Sequence, residues 1–345
     1  MSDTEKKSKH QFPVRVHAER RHLLDLEDWS AAQIDGMLAL AHELRDAHQN
    51  ASAKGGKLDG LRGNVIITLF YENSTRTRVS FELAGKALGA GVVNITASSS
   101  SVAKGESLRD TINTLDALNA DILVMRHDHS GAVETASQWS QAAIINAGDG
   151  WHAHPSQALV DLFTLREHMG SVAGKRIVIL GDILHSRVAR SNCWSLTTMG
   201  AEVVLCGPPT LVPTTFGQGY PDRAIRVEHD LNRALVGADA VMVLRLQRER
   251  MTGGFLPSLR EYRMRYGLTA EHLARYPDLP ILHPGPMNEG IEIDTAIAHG
   301  PNSLIERQVA NGIPVRMAVL LWAANKRDLI MPSTAKAKKR EATHA

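Results

Sequence analysis

The chain reads NVIITLFYENSTRTRVSFELAGKAL at residues 64–88, and this pattern sets the expected fold class. Asn64–Phe70 is a short, uncharged run rich in β-branched residues, as expected for a strand that is buried on both faces. Thr75–Leu88 then shows helical spacing, and we predict that its apolar face includes Val79, Leu83, Ala87 and Leu88. A buried strand that leads into an amphipathic helix is the repeating unit of α/β proteins.

The alternation of strand and helix continues along the chain. A second strand and helix are predicted at Arg176–Gly181 and Ser186–Met199, and a helix with Pro155 in its first turn at His154–His168. The other predicted strands, which carry few charges, are Gly91–Ile95, Ile122–Met125, Ala143–Ile145, Glu202–Cys206, Ala240–Leu244 and Pro280–Leu282. This pattern predicts two doubly wound parallel-sheet domains joined by interdomain helices.

A chain of 345 residues exceeds what one hydrophobic core usually supports. We predict a first domain at residues 21–155, completed by 308–330, and a second domain at 156–307. Residues 1–20 and 331–345 are polar, and we predict disordered tails there. The last helical segment, at 307–326, contains Gly312 and Pro314, so we expect a kinked or broken helix.

The composition excludes several classes of function. Apolar residues make up 43% of the chain and the net charge is only +2, which is typical of a globular protein without a dedicated nucleic-acid surface. Cys193 and Cys206 lie in apolar stretches, so we predict reduced core thiols rather than disulfides. No apolar run approaches the roughly 18 residues of a membrane span. We therefore predict a cytoplasmic protein with small-molecule partners.

The segment Ser74-Thr75-Arg76-Thr77-Arg78 lies where the first strand gives way to its helix. First-turn N–H groups, the positive helix end, hydroxyls and a guanidinium would converge there on a phosphate. The alternative is a helix capped by Ser74 with two surface arginines.

Two further segments carry candidate ligand groups. The Ser- and Gly-containing loop from Ser100 to Ser107 leads into a helix, and Lys104 would supply a point charge there, although ordinary helix capping explains such a loop equally well. Arg126 follows a predicted strand at the edge where open α/β sheets bind ligands, or else is a surface arginine.

His152, His154 and Gln157 lie between a predicted strand and a predicted helix. Two histidines suggest a metal, but no third ligand is convincingly placed, so we predict no metal site. His154 directly precedes Pro155 at the helix start, where a positive helix end favours neutral imidazole, and we predict that it donates a hydrogen bond to a substrate oxygen.

The turn at 181–187 lacks the three-glycine spacing of a dinucleotide site, so we predict no cofactor. Arg187 in that turn, with Arg245 and Gln247 after a later strand, would bind a dicarboxylate, because each guanidinium can hold one carboxylate. A salt-bridged surface is the alternative. The stiff turn His283-Pro-Gly-Pro286 has fixed carbonyls that suit an amine, or else is purely structural.

In this order, over about residues 22–329, the segments resemble the aspartate/ornithine carbamoyltransferase family. The motif at 74–78 is common to that family. The segments Lys104-Gly-Glu-Ser, Asn146-Ala-Gly-Asp-Gly, His154-Pro-Ser-Gln157, Arg245-Leu-Gln247 and His283-Pro-Gly-Pro286 are similar to its aspartate-specific members. Ornithine-specific members carry a cysteine in the last turn. The resemblance implies carbamoyl transfer from carbamoyl phosphate to L-aspartate, a step of pyrimidine biosynthesis.

The resemblance also implies a role for each matching residue. Carbamoyl phosphate would be bound by Ser74, Thr75, Arg76, Thr77, Ser100, Lys104, Arg126, His154 and Gln157. Aspartate would be bound by Lys104, Arg187, Arg245, Gln247, Gly285 and Pro286. The catalytic residues would be Arg76, Thr77, Lys104 and His154. Ser100 and Lys104 would come from the neighbouring subunit of a homotrimer, so that subunits share their sites.

One segment departs from the family pattern. Met287-Asn288-Glu289 stands where relatives often place an arginine, which affects the support of the preceding turn. Two other functions remain open: carbamoyl transfer to another amine such as ornithine, and an inactive homologue that scaffolds a partner. The sequence does not decide whether regulatory chains or a dihydroorotase-like partner attach.

Overall fold

The computed structural model describes residues 21–53, 55–96, 105–220, 222–247 and 254–326. Their α-helices are α1 (Ala31–Ala53), α2 (Thr75–Ala87), α3 (Leu108–Ala117), α4 (Ala132–Trp139), α5 (Pro155–Met169), α6 (Arg187–Thr198), α7 (Leu231–Leu235), α8 (Leu259–Tyr266), α9 (Ala270–Arg275), α10 (Thr295–Ala298) and α11 (Ile305–Ala323), with a 3₁₀ helix at Thr214–Gly219. Their strands are β1 (Val65–Phe70), β2 (Gly91–Thr96), β3 (Ile122–His127), β4 (Ala143–Asp149), β5 (Arg176–Leu180), β6 (Glu202–Cys206), β7 (Ile225–Glu228), β8 (Ala240–Val243) and β9 (Ile281–Leu282).

Two parallel sheets confirm the predicted fold class. The first has the strand order β2-β1-β3-β4 and the second the order β7-β6-β5-β8-β9. In each sheet the chain starts on an inner strand, builds outward to one side, and then returns to the other side. The strand order therefore reverses beside β1 in the first sheet and beside β5 in the second. Ligands of open α/β sheets bind at the carboxyl ends of strands at such a reversal.

Helices α5 and α11 hold the two sheets together. Helix α5 leaves β4 of the first sheet and leads to β5 of the second, and every residue from Pro155 to Leu165 is buried. Helix α11 packs against α1, α2 and α5. It runs without a break through Gly312 and Pro314, so the break expected from the sequence is absent. Burial of the apolar side chains around Pro314 offsets the roughly 3 kcal/mol cost of an internal proline.

The predicted apolar face of α2 was right for Ala87 and Leu88, which are buried, and wrong for Val79 and Leu83. Val79 is 40% exposed and Leu83 is 47% exposed, whereas Phe81 and Ala84 are fully buried. Gly85 also faces the core, and a Cβ there would lie 2.8 Å from Val92 Cγ2. Because that glycine lets α2 approach β2 closely, the helix turns this face inward and leaves Val79 and Leu83 outside.

The other strand predictions agree with the structure to within a few residues, with two differences. Strand β4 continues to Asp149, beyond the predicted strand end at Ile145. Strand β7 was missed, because Arg226 and Glu228 place charges within only four residues of an edge strand. Cys193 and Cys206 are free and buried, as predicted. Burial raises the pKa of each thiol to about 12.

The predicted tails at 1–20 and 331–345 lie outside the described residues, and the domain limits stay a prediction. Within the described part of the chain, no helix combines the length and apolar character that a bilayer crossing requires.

Candidate active site

The candidate residues follow the carboxyl ends of strands in both sheets. In the first sheet, the motif at 74–78 follows β1, Arg126 lies near the end of β3, and His154 follows β4. In the second sheet, Arg187 follows β5, Arg245 and Gln247 follow β8, and Gly285 and Pro286 follow β9. The two reversals of strand order lie between β1 and β3 and between β5 and β8, with β4 and β9 next to them. The topology therefore places both groups where ligands are expected.

Helix α2 begins at the predicted phosphate motif. Ser74 is its N-cap in an extended conformation, and the Ser74 hydroxyl accepts a hydrogen bond from the Thr77 N–H (3.4 Å). Thr75 and Arg76 are exposed while Thr77 is buried, and the first turn contains no acidic residue. The capped helix of the alternative interpretation is therefore present. A capped helix start with no carboxylate is also an arrangement that attracts an anion.

Glu72 joins the arginines of the two sheets, and the sequence interpretation did not identify it. Its carboxylate oxygens lie 3.3 Å from Arg126 Nη2 and 2.7 Å from Arg187 Nη2. The guanidinium of Arg126 also donates to the Ala147 carbonyl (3.4 Å). The signal for Glu72 was its place in the short connection between β1 and the phosphate motif. A carboxylate has no direct role in holding an anion, but it can hold two guanidiniums in place.

The glycines at the end of β4 make room for Arg187. A Cβ at Gly148 would lie 2.7 Å from Arg187 Nε, and the backbone there has φ +113°. Arg187 also donates to the Gly150 carbonyl (3.1 Å). The Asn146 side chain holds the backbone of Gly148 in place by accepting a hydrogen bond from its N–H (2.8 Å). The start of α6 in the second sheet is thereby joined to β4 of the first.

Arg76 lies against the turn that follows β9. A Cβ at Gly285 would lie 2.6 Å from Arg76 Cζ, so a larger residue there would displace the guanidinium from this position. The Gly285 N–H donates to His283 Nδ1 (2.8 Å). Burial lowers the pKa of His283; Glu292 opposes that effect, and the nearby charges of Arg76 and Arg245 add to it. Guanidiniums from both sheets therefore meet beside this turn.

His154 is the N-cap of α5 and is only 4% exposed. Its N–H donates to the Ser191 hydroxyl (2.9 Å) of α6. Burial, followed by the charges of Arg126 and Arg187, holds the pKa of His154 well below its usual range. The imidazole is therefore neutral, as the sequence predicted, although burial rather than the helix end is the main cause.

This lowered pKa gives a testable pH dependence. The unfolded state takes up the His154 proton as the pH falls below 6.5, while the folded state does not, so acidification costs stability. We expect the unmodified chain to lose up to about 1.4 kcal/mol more than a His154→Asn variant between pH 7.5 and 5.5. Urea unfolding of both chains at one protein concentration measures this difference. An equal loss in the two chains would contradict the assignment.

The turn at 181–187 positions the end of β8. Asp182 is fully buried, its carboxylate lies 2.8 Å from His185 Nδ1, and it accepts a hydrogen bond from the Gln247 N–H (3.3 Å).

Gln157 is also buried, and its amide donates to Asp161 (2.7 Å). Pro286 is exposed at the tip of its turn. Ser100 and Lys104 lie outside the described residues.

Within the described ranges, one group of three side chains could bring metal-ligand atoms together, and it consists of His127, Asp128 and His129. It directly follows Arg126. His152 does not join a group of this kind in that part of the chain, and its Nδ1 lies 3.0 Å from an Asp149 carboxylate oxygen.

Two family models match the chain in sequence. One, described as the carbamoyl-P binding domain of aspartate/ornithine carbamoyltransferase, matches residues 21–167. The other, described as the Asp/Orn binding domain of the same family, matches residues 173–323. Together they cover most of the chain.

Curated relatives agree with these matches. An aspartate carbamoyltransferase catalytic subunit of Roseiflexus sp. (strain RS-1) is 53% identical over 304 residues, which are 87% of this chain and 94% of the relative. A protein of the same name from Mycolicibacterium smegmatis is 53% identical over 308 residues, covering 87% of this chain and 95% of the relative.

Solved structures show the same similarity. Aspartate transcarbamoylase from Trypanosoma cruzi in complex with N-(phosphonacetyl)-L-aspartic acid has a TM-score of 0.78 and 31% identity, covering 88% of this chain and 95% of that one. The same enzyme with carbamoyl phosphate and aspartate has a TM-score of 0.77 and 31% identity, covering 88% and 96%. On the family models, the relatives and the fold, the chain belongs to the aspartate/ornithine carbamoyltransferase family.

Proposed function

We propose that the chain transfers the carbamoyl group of carbamoyl phosphate to the amine of L-aspartate, giving N-carbamoyl-L-aspartate and phosphate. The observation that carries the proposal is the convergence of guanidiniums from two sheets: Arg76 and Arg126 come from the first, and Arg187 and Arg245 from the second. Two anionic substrates require such an arrangement, because arginine binds phosphate and carboxylate with paired hydrogen bonds. The names of the relatives and the ligands of the solved structures support the same reaction.

The first sheet binds carbamoyl phosphate in this proposal. The first turn of α2, from Ser74 to Thr77, holds the phosphate together with Arg126. Neutral His154 donates to the carbamoyl oxygen, where negative charge develops during the reaction, and Thr77 and Gln157 orient the group. Placing donors at the developing charge lowers the barrier, and one such donor is worth about 3 kcal/mol.

The second sheet binds aspartate. Arg187, Arg245 and Gln247 together hold the two aspartate carboxylates. The Pro286 carbonyl lies near the aspartate amine. The neutral amine attacks the carbamoyl carbon, so that a C–N bond forms in a tetrahedral intermediate. The bond from that carbon to the phosphate oxygen then breaks, and the departing phosphate accepts the amine proton. The chain contributes proximity and charge stabilisation, and no covalent enzyme intermediate is needed.

We further propose that the active form is a homotrimer with shared sites. Helix α2 and the edge strand β2 leave apolar side chains uncovered: Val79 is 40% exposed, Leu83 47% and Val93 50%. Strands of parallel sheets are normally covered on both faces, so this surface fits a second copy of the chain. Ser100 and Lys104 follow β2 in the sequence, and in this proposal each contributes to the neighbour's site.

The enzyme is expected in the cytoplasm, in pyrimidine biosynthesis. Its two cysteines are free and buried, which fits a reducing compartment.

An acceptor assay tests the proposed function. Purified chain is incubated with radiolabelled carbamoyl phosphate and either L-aspartate or L-ornithine, and the labelled amino acid is quantified. We expect product with aspartate and none above background with ornithine, because Arg187 and Arg245 repel a cationic side chain. Transfer to ornithine would replace the proposal with the other family activity, and the absence of transfer to either would favour an inactive homologue.

A further inference from the structure

A buried carboxylate on α5 connects the two halves of the candidate site. Asp161 is fully buried and accepts three side-chain hydrogen bonds. The donors are Gln157 Nε2 (2.7 Å), Gln308 Nε2 (2.8 Å) and Asn192 Nδ2 (2.9 Å). They come from three different helices, α5, α11 and α6. One side chain therefore fixes groups from all three helices between the sheets.

Each of these three donor side chains is part of a proposed substrate subsite or is connected to one. Gln157 belongs to the proposed carbamoyl subsite itself. Gln308 uses its Oε1 to accept a hydrogen bond from the His283 N–H (2.8 Å), at the start of the turn that holds Gly285. Asn192 lies on α6, the helix that begins at Arg187.

The charge of Asp161 determines which way the two glutamine amides point. An ionised carboxylate can only accept hydrogen bonds, so both glutamines must turn their NH₂ groups towards it. Oε1 of Gln308 is then fixed towards the His283 N–H. Oε1 of Gln157 is fixed away from Asp161, as an acceptor for an NH₂ group. Burial raises the pKa of Asp161 to about 6, with the three donors and Arg316 opposing that rise, so the side chain is ionised at pH 7.5.

An ionised side chain is an expensive way to hold three helices together. Burying a carboxylate costs several kcal/mol of desolvation free energy, which its hydrogen bonds and ion pairs must offset. Apolar residues of similar volume often stabilise a protein as well or better. One turn later in the same α5–α11 contact, Asn311 Nδ2 donates to the Thr164 hydroxyl (3.0 Å) and to a Glu167 carboxylate oxygen (2.6 Å). The buried Arg316 guanidinium offsets part of that cost, because its charge and the charge of Asp161 attract each other.

We propose that Asp161 is a positioning residue for carbamoyl transfer, which orients Gln157 in the carbamoyl subsite and, through Gln308, sets the backbone of the 283–286 turn in the aspartate subsite. This inference rests on the proposed function. It adds a residue that touches neither substrate and yet sets the geometry of both subsites.

An exchange of the buried charge tests the role. Asp161→Asn places an NH₂ group against at least one of the three amide donors of Gln157, Asn192 and Gln308. The resulting displacement of Gln157 should lower kcat about a hundredfold. The double variant Asp161→Asn with Asn192→Asp keeps an acceptor for both glutamines and restores a carboxylate opposite the new amide. We expect it to recover most of the lost kcat. Thr164→Val is the matched control at the same helix contact, and its kcat and KM values should stay within about twofold of the unmodified chain.

A second variant covers the case in which Asp161→Asn does not fold. Gln308→Met breaks the connection between Asp161 and the 283–286 turn but leaves Asp161 its hydrogen bonds from Gln157 and Asn192. KM for aspartate should therefore rise about tenfold while KM for carbamoyl phosphate stays unchanged. The inference is overturned if folded Asp161→Asn keeps kcat and both KM values within twofold, or if Gln308→Met changes both KM values equally. An inactive unmodified chain would instead refute the proposed function.

Discussion

Arg76→Ala is expected to lower kcat/KM for carbamoyl transfer about a thousandfold, the largest effect of any single substitution considered. The guanidinium is exposed in the first turn of α2 and lies against Gly285, between the two proposed subsites. Its removal takes away paired hydrogen bonds to the phosphate and charge stabilisation at the reacting centre, and loss of one such stabilising donor lowers the rate by a factor of about 10² to 10³. Steady-state kinetics with both substrates measure the loss.

The fold should not suffer from this substitution, because the Arg76 side chain is exposed and not part of a hydrophobic core. Thermal unfolding of the Arg76→Ala variant should therefore match that of the unmodified chain. Arg265→Ala is the matched control, since Arg265 is exposed on α8 and its Nε lies 3.3 Å from a Glu261 carboxylate oxygen one turn away. Near-normal kcat and KM in the Arg76→Ala variant would contradict the assigned phosphate anchor.

Mixing two inactive variants should regenerate activity, which is the second large effect. In the proposed trimer each site combines Arg76 of one chain with Lys104 of its neighbour. Chains with Arg76→Ala are dissociated, mixed in equal amounts with Lys104→Ala chains and reassembled. Random assembly then leaves both residues intact in about one quarter of the sites, so about a quarter of the unmodified activity should return.

Each variant reassembled by itself provides the control, because none of its sites can regain both residues. Native mass spectrometry or light scattering of the mixture establishes that trimers have formed. Properly reassembled mixed trimers without recovered activity would show that the sites are not shared between chains.

The elements that sequence patterns predicted well are those in which local chemistry and burial agree. Strand β6 was predicted from Glu202 to Cys206 and is found with those limits. A short apolar run that contains β-branched residues favours a buried strand. The start of α2 was likewise indicated by Ser74, whose hydroxyl satisfies a backbone donor of the first turn. His154 was expected to be neutral, and its buried place among arginines keeps it so.

The features that the sequence did not reveal depend on contacts between distant segments. Val79 and Leu83 have the spacing of a core face, but the close approach permitted by Gly85 turns the opposite face inward. Glu72 and Asp161 gain their partners only when two sheets and three helices are assembled. No local pattern identifies a residue whose role is to hold another side chain in place.

The central claim is that guanidinium, hydroxyl and main-chain donors from both sheets hold two anionic substrates side by side. A crystal structure of the chain with N-(phosphonacetyl)-L-aspartate, which carries features of both substrates, tests it most directly. We expect the phosphonate at the start of α2 beside Arg76 and Arg126, and the two carboxylates beside Arg187 and Arg245. The inhibitor bound anywhere other than between Arg76 and Arg245 would contradict the account.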